Sequence, residues 1–303
     1  MKNEINEEIY KKVRDFREML TELDRKRDEN LTVPEEIRAF YDISYGPHGK
    51  DNLLDVYMKN DVNEKQPTIV NIHGGAWIYG SKDIYKFYCM SLALRGFTVV
   101  NINYRLAPEN LFPSPLEDIN LAMNYIEKNA DKYFIDTSNM ILVGDSAGAQ
   151  LVSHYVTIFT NPNYARLFGY ELPDVKIKAL GLNCGLYDTK LVFQQKLDER
   201  FLYYVGESPE DSGDGLLEKI DVMSNITKDF PPAYIVSSHA DFLLPFAEPL
   251  FNLLKEKGVE TEMKIYGNPD RPDIAHVFHV NMNLTEAKIC NDEECQFFKK
   301  YVK

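Results

Sequence analysis

The chain has 303 residues, of which 44% are hydrophobic and 27% charged, and this composition excludes a wholly disordered, collagen-like or coiled-coil protein. The formal net charge of −13 disfavours nucleic acid and anionic membranes as partners, and leaves neutral or cationic small molecules. The sequence holds neither an apolar run long enough to span a bilayer nor a signal-peptide pattern. We therefore expect a cytoplasmic protein without membrane insertion.

The four cysteines are scattered through the chain, without a CxxC pair or a Cys/His spacing typical of metal ligands. Buried free thiols are the expected state of Cys89, Cys184, Cys290 and Cys295. The sequence predicts no metal site.

Residues 1–45 predict helices followed by the start of a sheet. Apolar residues recur at steps of three and four over residues 1–30, which predicts an amphipathic helix: Ile5, Ile9, Val13, Phe16 and Leu20. Pro34 interrupts this pattern, and a second short helix is predicted near residues 34–38. Residues 39–45 and 53–58 then alternate in polarity around a turn-rich segment, and predict an antiparallel strand pair.

Beyond residue 51, short apolar runs alternate with segments of helical length. The runs cover residues 68–72, 98–103, 140–143, 179–183, 233–237 and 260–266. The helical segments include residues 116–128, 147–159, 245–257 and 284–301. This alternation predicts an α/β fold with a mostly parallel sheet and helices on both faces.

Residues 187–230 break the alternation because they are charged, aromatic and rich in turn residues, and they show no clear strand. A loop of this length is uncommon inside a compact sheet. We therefore expect an insertion of helices that covers one edge of the sheet.

The strongest chemical motif is Gly144-Asp145-Ser146-Ala147-Gly148, which follows an apolar run and opens a helical segment. Its small residues allow a sharp turn from strand to helix, with Ser146 at the apex. The hydroxyl then lies near a helix N-terminus, whose dipole favours developing negative charge. The motif predicts that Ser146 is a nucleophile.

A second motif, His73-Gly74-Gly75-Ala76-Trp77, ends another apolar run. In acyl transfer, negative charge develops on a carbonyl oxygen, and N–H groups of a loop with small side chains can reach it. We expect Gly74, Gly75 and Ala76, together with Ala147, to supply an oxyanion hole. A tight turn without function is the alternative for this motif taken alone.

A serine nucleophile needs a base, and six histidines are available. His276 and His279 follow the last predicted strand, in a loop of the kind where doubly wound sheets gather catalytic residues. The order serine, acid, histidine in this architecture also requires a late histidine. We favour His276 over His279 because it lies nearer the loop and leaves Phe278 to pack beneath it.

The acid that orients this histidine is expected at the end of the preceding strand. Asp241 closes an apolar run and can point at the imidazole Nδ1. Asp270 and Asp273 are alternatives because they are closer to His276 in sequence, and both also fit solvated loop charges. We favour Asp241.

These residues resemble the hormone-sensitive-lipase-like branch of the α/β-hydrolases. The matching segments run in family order from residue 55 to 278: Asp55-Val56-Tyr57, His73-Gly74-Gly75-Ala76-Trp77, Tyr104-Arg105-Leu106-Ala107-Pro108-Glu109, Gly144-Asp145-Ser146-Ala147-Gly148, Asp241 and His276-Val277-Phe278. The resemblance implies the α/β-hydrolase fold, with a mostly parallel eight-stranded sheet and a helical cap. It implies a lipase-like carboxylesterase, and more weakly a homodimer.

The resemblance also implies a division of the chain. Residues 1–45 and the insertion 187–230 would form the cap, and residues 46–186 and 231–303 the catalytic domain. Two positions depart from the family pattern: Ala76 replaces the usual third glycine, and Phe242 replaces the proline that usually follows the acid.

The expected reaction is hydrolysis of short-chain, soluble carboxylic esters through an acyl-enzyme, with Ser146, His276 and Asp241 as triad and no cofactor. Trp77 and Tyr79 are candidate substrate-binding residues. Phe201, Tyr203 and Tyr204 either line the same pocket or pack as ordinary core residues. Two alternatives remain open: an amidase of the arylformamidase type, and an inactive small-molecule receptor on the same fold.

Overall fold

The computed structural model describes residues 7–303, so the first six residues of the predicted N-terminal helix, Ile5 among them, lie outside the described part of the chain. Within that part, the strands are β1 (Ile37–Ser44), β2 (Leu53–Lys59), β3 (Gln66–Ile72), β4 (Thr98–Ile102), β5 (Ile135–Asp145), β6 (Ile177–Asn183), β7 (Ala233–Ser238) and β8 (Thr261–Tyr266). The longer helices are α1 (Glu7–Asp28), α2 (Lys82–Leu94), α3 (Ser114–Lys128), α4 (Ala147–Thr160), α10 (Leu244–Glu256) and α11 (Thr285–Phe298). The short helices are α5 (Pro162–Ala165), α6 (Thr189–Gln195), α7 (Glu199–Val205), α8 (Asp214–Ile220) and α9 (Val222–Asn225).

The strands form one sheet of eight among residues 7–303, in the order β1-β2-β4-β3-β5-β6-β7-β8. Strand β2 is antiparallel to β1 and to β4, and every other neighbouring pair is parallel. The predicted mostly parallel, eight-stranded α/β sheet is confirmed. Its parallel part places the carboxyl ends of β3, β5, β7 and β8 along the same edge.

The central strands are buried on both faces, as their continuous apolar sequence predicts. Alternate residues contribute to two different cores: Leu142 belongs to the core under α3, α4 and α10, whereas Ile141 and Val143 belong to the core under α2 and α11. This packing on two sides fixes the register of β5, and therefore fixes where its last residues lie.

Two features near the N-terminus differ from the prediction. The short helix expected near residues 34–38 is absent, because β1 begins at Ile37 and pairs with Lys59 of β2. Helix α2 was not predicted, although its buried face recurs at helical spacing in Tyr85, Tyr88, Cys89 and Leu92. Its signal is weaker because several of these positions are aromatic, and aromatic residues are typical of strands as well.

Helix α1 lies against helix α7 and against the loops that follow β3 and β4. Lys12 of α1 pairs with Glu199 of α7 at 2.9 Å. Arg17 of α1 donates to the carbonyl oxygens of Ile78 and Ala107 and pairs with Glu109. In residues 7–303, no helix combines the length and the apolar character needed to cross a membrane.

Candidate active site

Ser146 lies between the end of β5 and the start of α4, with φ 52° and ψ −119°. Such a backbone is strained for a residue with a side chain and costs about 1–3 kcal/mol. The flanking glycines make the turn sterically feasible. A Cβ atom on Gly148 would lie 2.0 Å from the carbonyl oxygen of Ile72, and one on Gly144 would lie 2.5 Å from the backbone of Gly148.

The side chains of Ser146, His276 and Asp241 form a hydrogen-bonded chain. Nε2 of His276 lies 3.0 Å from Oγ of Ser146, and Nδ1 lies 2.8 Å from Oδ1 of Asp241. The imidazole side chain is 22% exposed and the Asp241 carboxylate is fully buried. The structure therefore brings together the three residues that the sequence predicts as a triad.

Asp241 is held in place by several donors. Its carboxylate accepts hydrogen bonds from the N–H of Leu243 at 2.9 Å and from the hydroxyl of Ser237 at 2.9 Å, and it contacts the thiol of Cys184. Burial alone would raise the pKa of Asp241, but the hydrogen bond and charge of His276, with the other donors, bring the net pKa below its usual value. The carboxylate thus stays ionised beside the imidazole.

The rival residues lie elsewhere. Asp273 pairs with Arg271 at 2.7 Å, and Asp270 is exposed. His279 is completely buried, and neither of its ring nitrogens has a hydrogen-bond partner among the described residues. Burial lowers the pKa of His279 to about 3, so it is neutral at ordinary pH. Neither aspartate forms a hydrogen bond or ion pair with His276 in the part of the chain described.

In the loop after β3, one of the predicted oxyanion donors is not available. The N–H of Gly74 is already used inside the protein, because it donates to Oη of Tyr85 at 3.0 Å and to Oδ1 of Asp145 at 3.2 Å. Burial raises the pKa of Asp145 to about 6, although the Tyr85 hydroxyl and the Gly74 N–H lower it in part. The prediction that Gly74 stabilises an oxyanion is therefore wrong, because its only donor is engaged by its own surroundings.

The other predicted donors remain available. The N–H groups of Gly75 and Ala76 have no hydrogen-bond acceptor among residues 7–303, and Ala147 opens α4, where the N–H lacks a helical partner. Gly75 has φ 116°, and a Cβ atom there would lie 2.1 Å from the carbonyl oxygen of Tyr79. Ala76 and Trp77 also have positive φ, 53° and 60°.

A cleft of about 260 Å³ opens above Ser146 and His276. Trp77 and Tyr79 both line it, as predicted, together with Leu186 and Phe242. Phe201 and Tyr204 do not line it: they pack on the Trp77 ring at centroid distances of 5.1 and 5.4 Å. Tyr203 lies at a neighbouring pocket between α1 and α7.

One wall of the cleft is a face of α1, on which two charged residues, Asp24 and Arg27, were not predicted from the sequence. Phe16, Leu20, Asp24 and Arg27 follow one face of the helix and all line the cleft. Arg27 pairs with Asp24 and Asp28, and Oδ2 of Asp24 accepts a hydrogen bond from Oη of Tyr79. The predicted apolar stripe ends at Leu20, and Asp24 and Arg27 continue it at the same helical spacing. This spacing is the feature of the sequence that could have indicated their position on the cleft.

The candidate ligand atoms of Cys184, Asp241 and His276 lie within 4.8 Å of one another, the one such cluster in the described residues. Asp241 and His276 are hydrogen-bonded to each other, and burial raises the pKa of the Cys184 thiol well above its usual value. A protonated thiol is a poor metal ligand. Cys184 and His276 are therefore best described as hydrogen-bonding partners that hold Asp241 in place.

Comparison with known proteins gives the family. The family model described as BD-FAE matches residues 54–254, about two thirds of the chain. Esterase LipQ of Mycobacterium tuberculosis is 28% identical over 212 residues, which cover 68% of this chain and 50% of LipQ. Carboxylesterase NlhH of Mycobacterium tuberculosis is 25% identical over 274 residues, which cover 87% of this chain and 83% of NlhH.

Three of the curated relatives, LipQ among them, are matched over only about half of their own length. A crystal structure of esterase B from Lactobacillus rhamnosis superposes with a TM-score of 0.88 at 22% identity, and the match covers 97% of this chain and 96% of that one. At this identity the likeness concerns the fold. With a family model that spans β2 to α10 and these α/β-hydrolase neighbours, the chain belongs to the BD-FAE family, within the hormone-sensitive-lipase-like α/β-hydrolases.

Proposed function

We propose that the protein is a serine carboxylesterase that hydrolyses short-chain, soluble esters through an acyl-enzyme intermediate. The observation that carries the proposal is the hydrogen-bonded chain Ser146–His276–Asp241 at the base of the cleft, 3.0 and 2.8 Å between its partners. Relatives named esterase, carboxylesterase and acetyl esterase support the ester class.

The geometry supports the following acylation step. Oγ of Ser146 attacks the ester carbonyl while Nε2 of His276 takes the serine proton, and Asp241 stabilises the imidazolium that results. The carbonyl oxygen becomes an oxyanion, for which the N–H groups of Gly75, Ala76 and Ala147 are the donors. Each donor of this kind is worth about 3 kcal/mol in the transition state.

The intermediate then collapses: its bond to the alkoxy oxygen breaks, and His276 gives its proton to the departing alcohol. In deacylation, a water molecule loses a proton to Nε2 of His276 and attacks the acyl carbon. Breakage of the bond to Oγ returns the proton to Ser146 and releases the acid. These steps call only on the protein's own groups and water.

The size of the cleft supports short substrates. About 260 Å³ lies just below the range of volumes typical of small-molecule sites. We propose that α1 and residues 187–230 serve as the cap over this cleft, since Phe16, Leu20 and Arg200 from these segments line it. The charges that the cap presents, including Asp24, Arg27 and Asp198, suit dissolved esters better than a lipid surface.

The test is a panel of p-nitrophenyl esters from acetate to palmitate, with emulsified triglyceride and an N-formyl aromatic amide alongside. We expect turnover to peak at short acyl chains and to follow simple saturation. Activation at the emulsion with little turnover of soluble butyrate would identify a lipase instead. Preference for the formamide would identify an amidase.

The nucleophile is tested with Ser146→Ala, which exchanges a small hydroxyl for a small methyl group. Activity should fall by several orders of magnitude with folding intact, since triad members act as a unit. Ser91→Ala is the matched control and should keep full activity, because the Ser91 hydroxyl donates to the carbonyl oxygen of Tyr88, away from the cleft. A fluorophosphonate should label wild type on the peptide that contains Ser146; retention of more than a few per cent of kcat in Ser146→Ala would refute the assignment.

A further inference from the structure

A buried chain of side chains connects the loop after β3 to the insertion. Nε1 of Trp77 donates to Oε1 of Gln150 at 2.9 Å, and Nε2 of Gln150 lies 3.2 Å from Nδ1 of His154. Nε2 of His154 lies 3.0 Å from Oη of Tyr164, which donates to the carbonyl oxygen of Lys219 in α8 at 2.5 Å. Gln150 and His154 are each 1% exposed.

The chemistry of the two ends fixes the direction of every hydrogen bond in this chain. An indole N–H can only donate, so the oxygen of the Gln150 amide faces Trp77 and its nitrogen faces His154. Nδ1 of His154 must then accept, which places its proton on Nε2, directed at Oη of Tyr164. The Tyr164 hydroxyl is left to donate to Lys219, whose carbonyl oxygen can only accept.

The protonation state of His154 agrees with this assignment. Burial lowers its pKa to about 3, so the imidazole is neutral and keeps one accepting nitrogen at any pH suitable for ester hydrolysis. With the hydrogen bonds directed in this way, each polar group of the buried network has a partner of the correct kind. A fully satisfied buried network of this type rigidifies the elements that it connects.

The loop that Trp77 belongs to needs such support. Ala76 and Trp77 both adopt positive φ, a conformation that costs free energy for residues with a side chain and persists only where the surroundings impose it. Gln150 lies one helical turn after Ser146, and its N–H bonds the Ser146 carbonyl oxygen at 3.2 Å. One side chain therefore ties the Ala76–Trp77 segment to the helix that carries the serine.

We propose that Gln150 is a positioning residue that holds the Ala76 N–H in register with Ser146, and that His154 and Tyr164 orient its amide and link the loop to helix α8. This inference deepens the proposed function and rests on it. Gln150 touches no reacting atom in this scheme. Its effect passes through Trp77 to the oxyanion donor.

The main variant is Gln150→Met, which preserves volume and removes the acceptor for the indole N–H. Because an oxyanion donor acts in the transition state, we expect kcat to fall at least about tenfold while KM stays within about twofold. Gln150→Glu keeps an oxygen for Trp77, and its kcat should exceed that of Gln150→Met at least about threefold. Wild-type kcat in Gln150→Met would overturn the inference.

Two phenylalanine variants on neighbouring positions separate positioning from general stability. Tyr164→Phe removes the link to Lys219, whereas Tyr155→Phe removes an equally buried hydroxyl on α4 that donates to Asn120 at 3.0 Å and takes no part in the network. We expect kcat to fall about threefold in Tyr164→Phe and to be unchanged in Tyr155→Phe. Equal kcat in the two variants would contradict the proposed positioning role of this network. The comparison therefore tests the proposal even if Gln150→Met fails to fold.

A readout independent of activity is available because Trp77 is the single tryptophan of the chain. The indole N–H signal in a ¹⁵N-labelled sample should shift and exchange faster with solvent in Gln150→Met, and stay unchanged in Tyr155→Phe. If wild type hydrolyses no ester, the proposed function fails. An unchanged indole signal in Gln150→Met would separately refute the proposed link between Trp77 and Gln150. If Ser146→Ala is inactive but Gln150→Met is fully active, only the inference on Gln150 fails.

Discussion

The ring of Phe242 lies with its centroid 4.4 Å from that of the His276 imidazole, tilted by 47°. Phe242 lines the cleft and is 59% exposed, which is unusual for a large aromatic side chain. It directly follows Asp241, where the family usually has proline. The ring therefore covers one face of the imidazole at the mouth of the cleft.

Replacement of this ring should change substrate preference. An aromatic contact contributes about 1 kcal/mol, so Phe242→Ala should lower kcat/KM about fivefold for esters with a bulky apolar alcohol, and less than twofold for ethyl esters. The measurement compares benzyl and ethyl esters of the same acid. Tyr41→Ala, at a similarly exposed aromatic residue on β1, should alter neither value. An equal loss for both esters would contradict a contact with the alcohol.

The two late histidines should respond in opposite ways to substitution. His276→Ala should lower kcat roughly 10⁴-fold or more, because the base is lost. His279→Leu should keep kcat within about threefold, since the buried His279 imidazole has no hydrogen-bond partner among the described residues and an apolar side chain replaces it at little cost. Steady-state kinetics and thermal melts of both variants check this. Activity in His276→Ala together with inactivity in His279→Leu would reverse the assignment.

Gly75 and Ala76, neighbours in the loop after β3, should differ sharply in their tolerance of substitution. Gly75→Ala places a methyl group 2.1 Å from a backbone oxygen at φ 116°, so the loop must move and kcat should fall about 100-fold. Ala76→Gly relieves a positive φ worth about 1 kcal/mol, and loses a similar amount to the greater freedom of the unfolded chain. Its unfolding free energy should change by less than about 1 kcal/mol and kcat by a few-fold. Tolerance of Gly75→Ala would place the donors elsewhere.

Glu294 should make the stability of the protein depend on pH. It is completely buried and accepts a hydrogen bond from Asn183 at 2.9 Å, and burial raises its pKa from 4.5 to about 7. A raised acid pKa means that the folded state holds the proton more tightly, so its contribution to stability is complete below pH 4.5 and is lost as pH rises to 7. The loss is about 3 kcal/mol. Urea unfolding should therefore show that the free energy of unfolding of Glu294→Gln increases relative to that of wild type as pH rises from 4.5 to 7.

The adjacent Glu293 is the control for this pH effect. It pairs with Lys264 and Tyr266 at the surface, and its net pKa is lowered, because these partners outweigh the effect of burial. Its contribution is present above the usual glutamate pKa and lost as pH falls. Glu293→Gln should therefore lose stability relative to wild type only as pH rises to about 4.5, and should keep a constant difference from wild type between pH 4.5 and 7. The same slope in both variants would show that burial of Glu294 is not the cause.

The sequence alone predicts much of the sheet and the residues that converge on Ser146. The apolar run of β5 is continuous because it is buried on both faces, and this pattern is visible without coordinates. The small residues around Ser146 reveal a strand-to-helix turn because only they avoid collision with the neighbouring backbone. These are local constraints, and a local constraint leaves its mark on consecutive residues.

Long-range contacts decided what the sequence left open. The Gly74 N–H is used by Asp145, which lies 71 residues away at the end of β5, and by Tyr85 of α2, a helix that the sequence did not predict. That Asp24 and Arg27 line the cleft depends on how α1 docks. A charged residue on a helix looks the same in sequence whether it faces solvent or a substrate, because its partners come from other elements. Motif and periodicity therefore determined which residues are candidates, and tertiary packing alone decided which of their hydrogen-bonding groups remain available for chemistry.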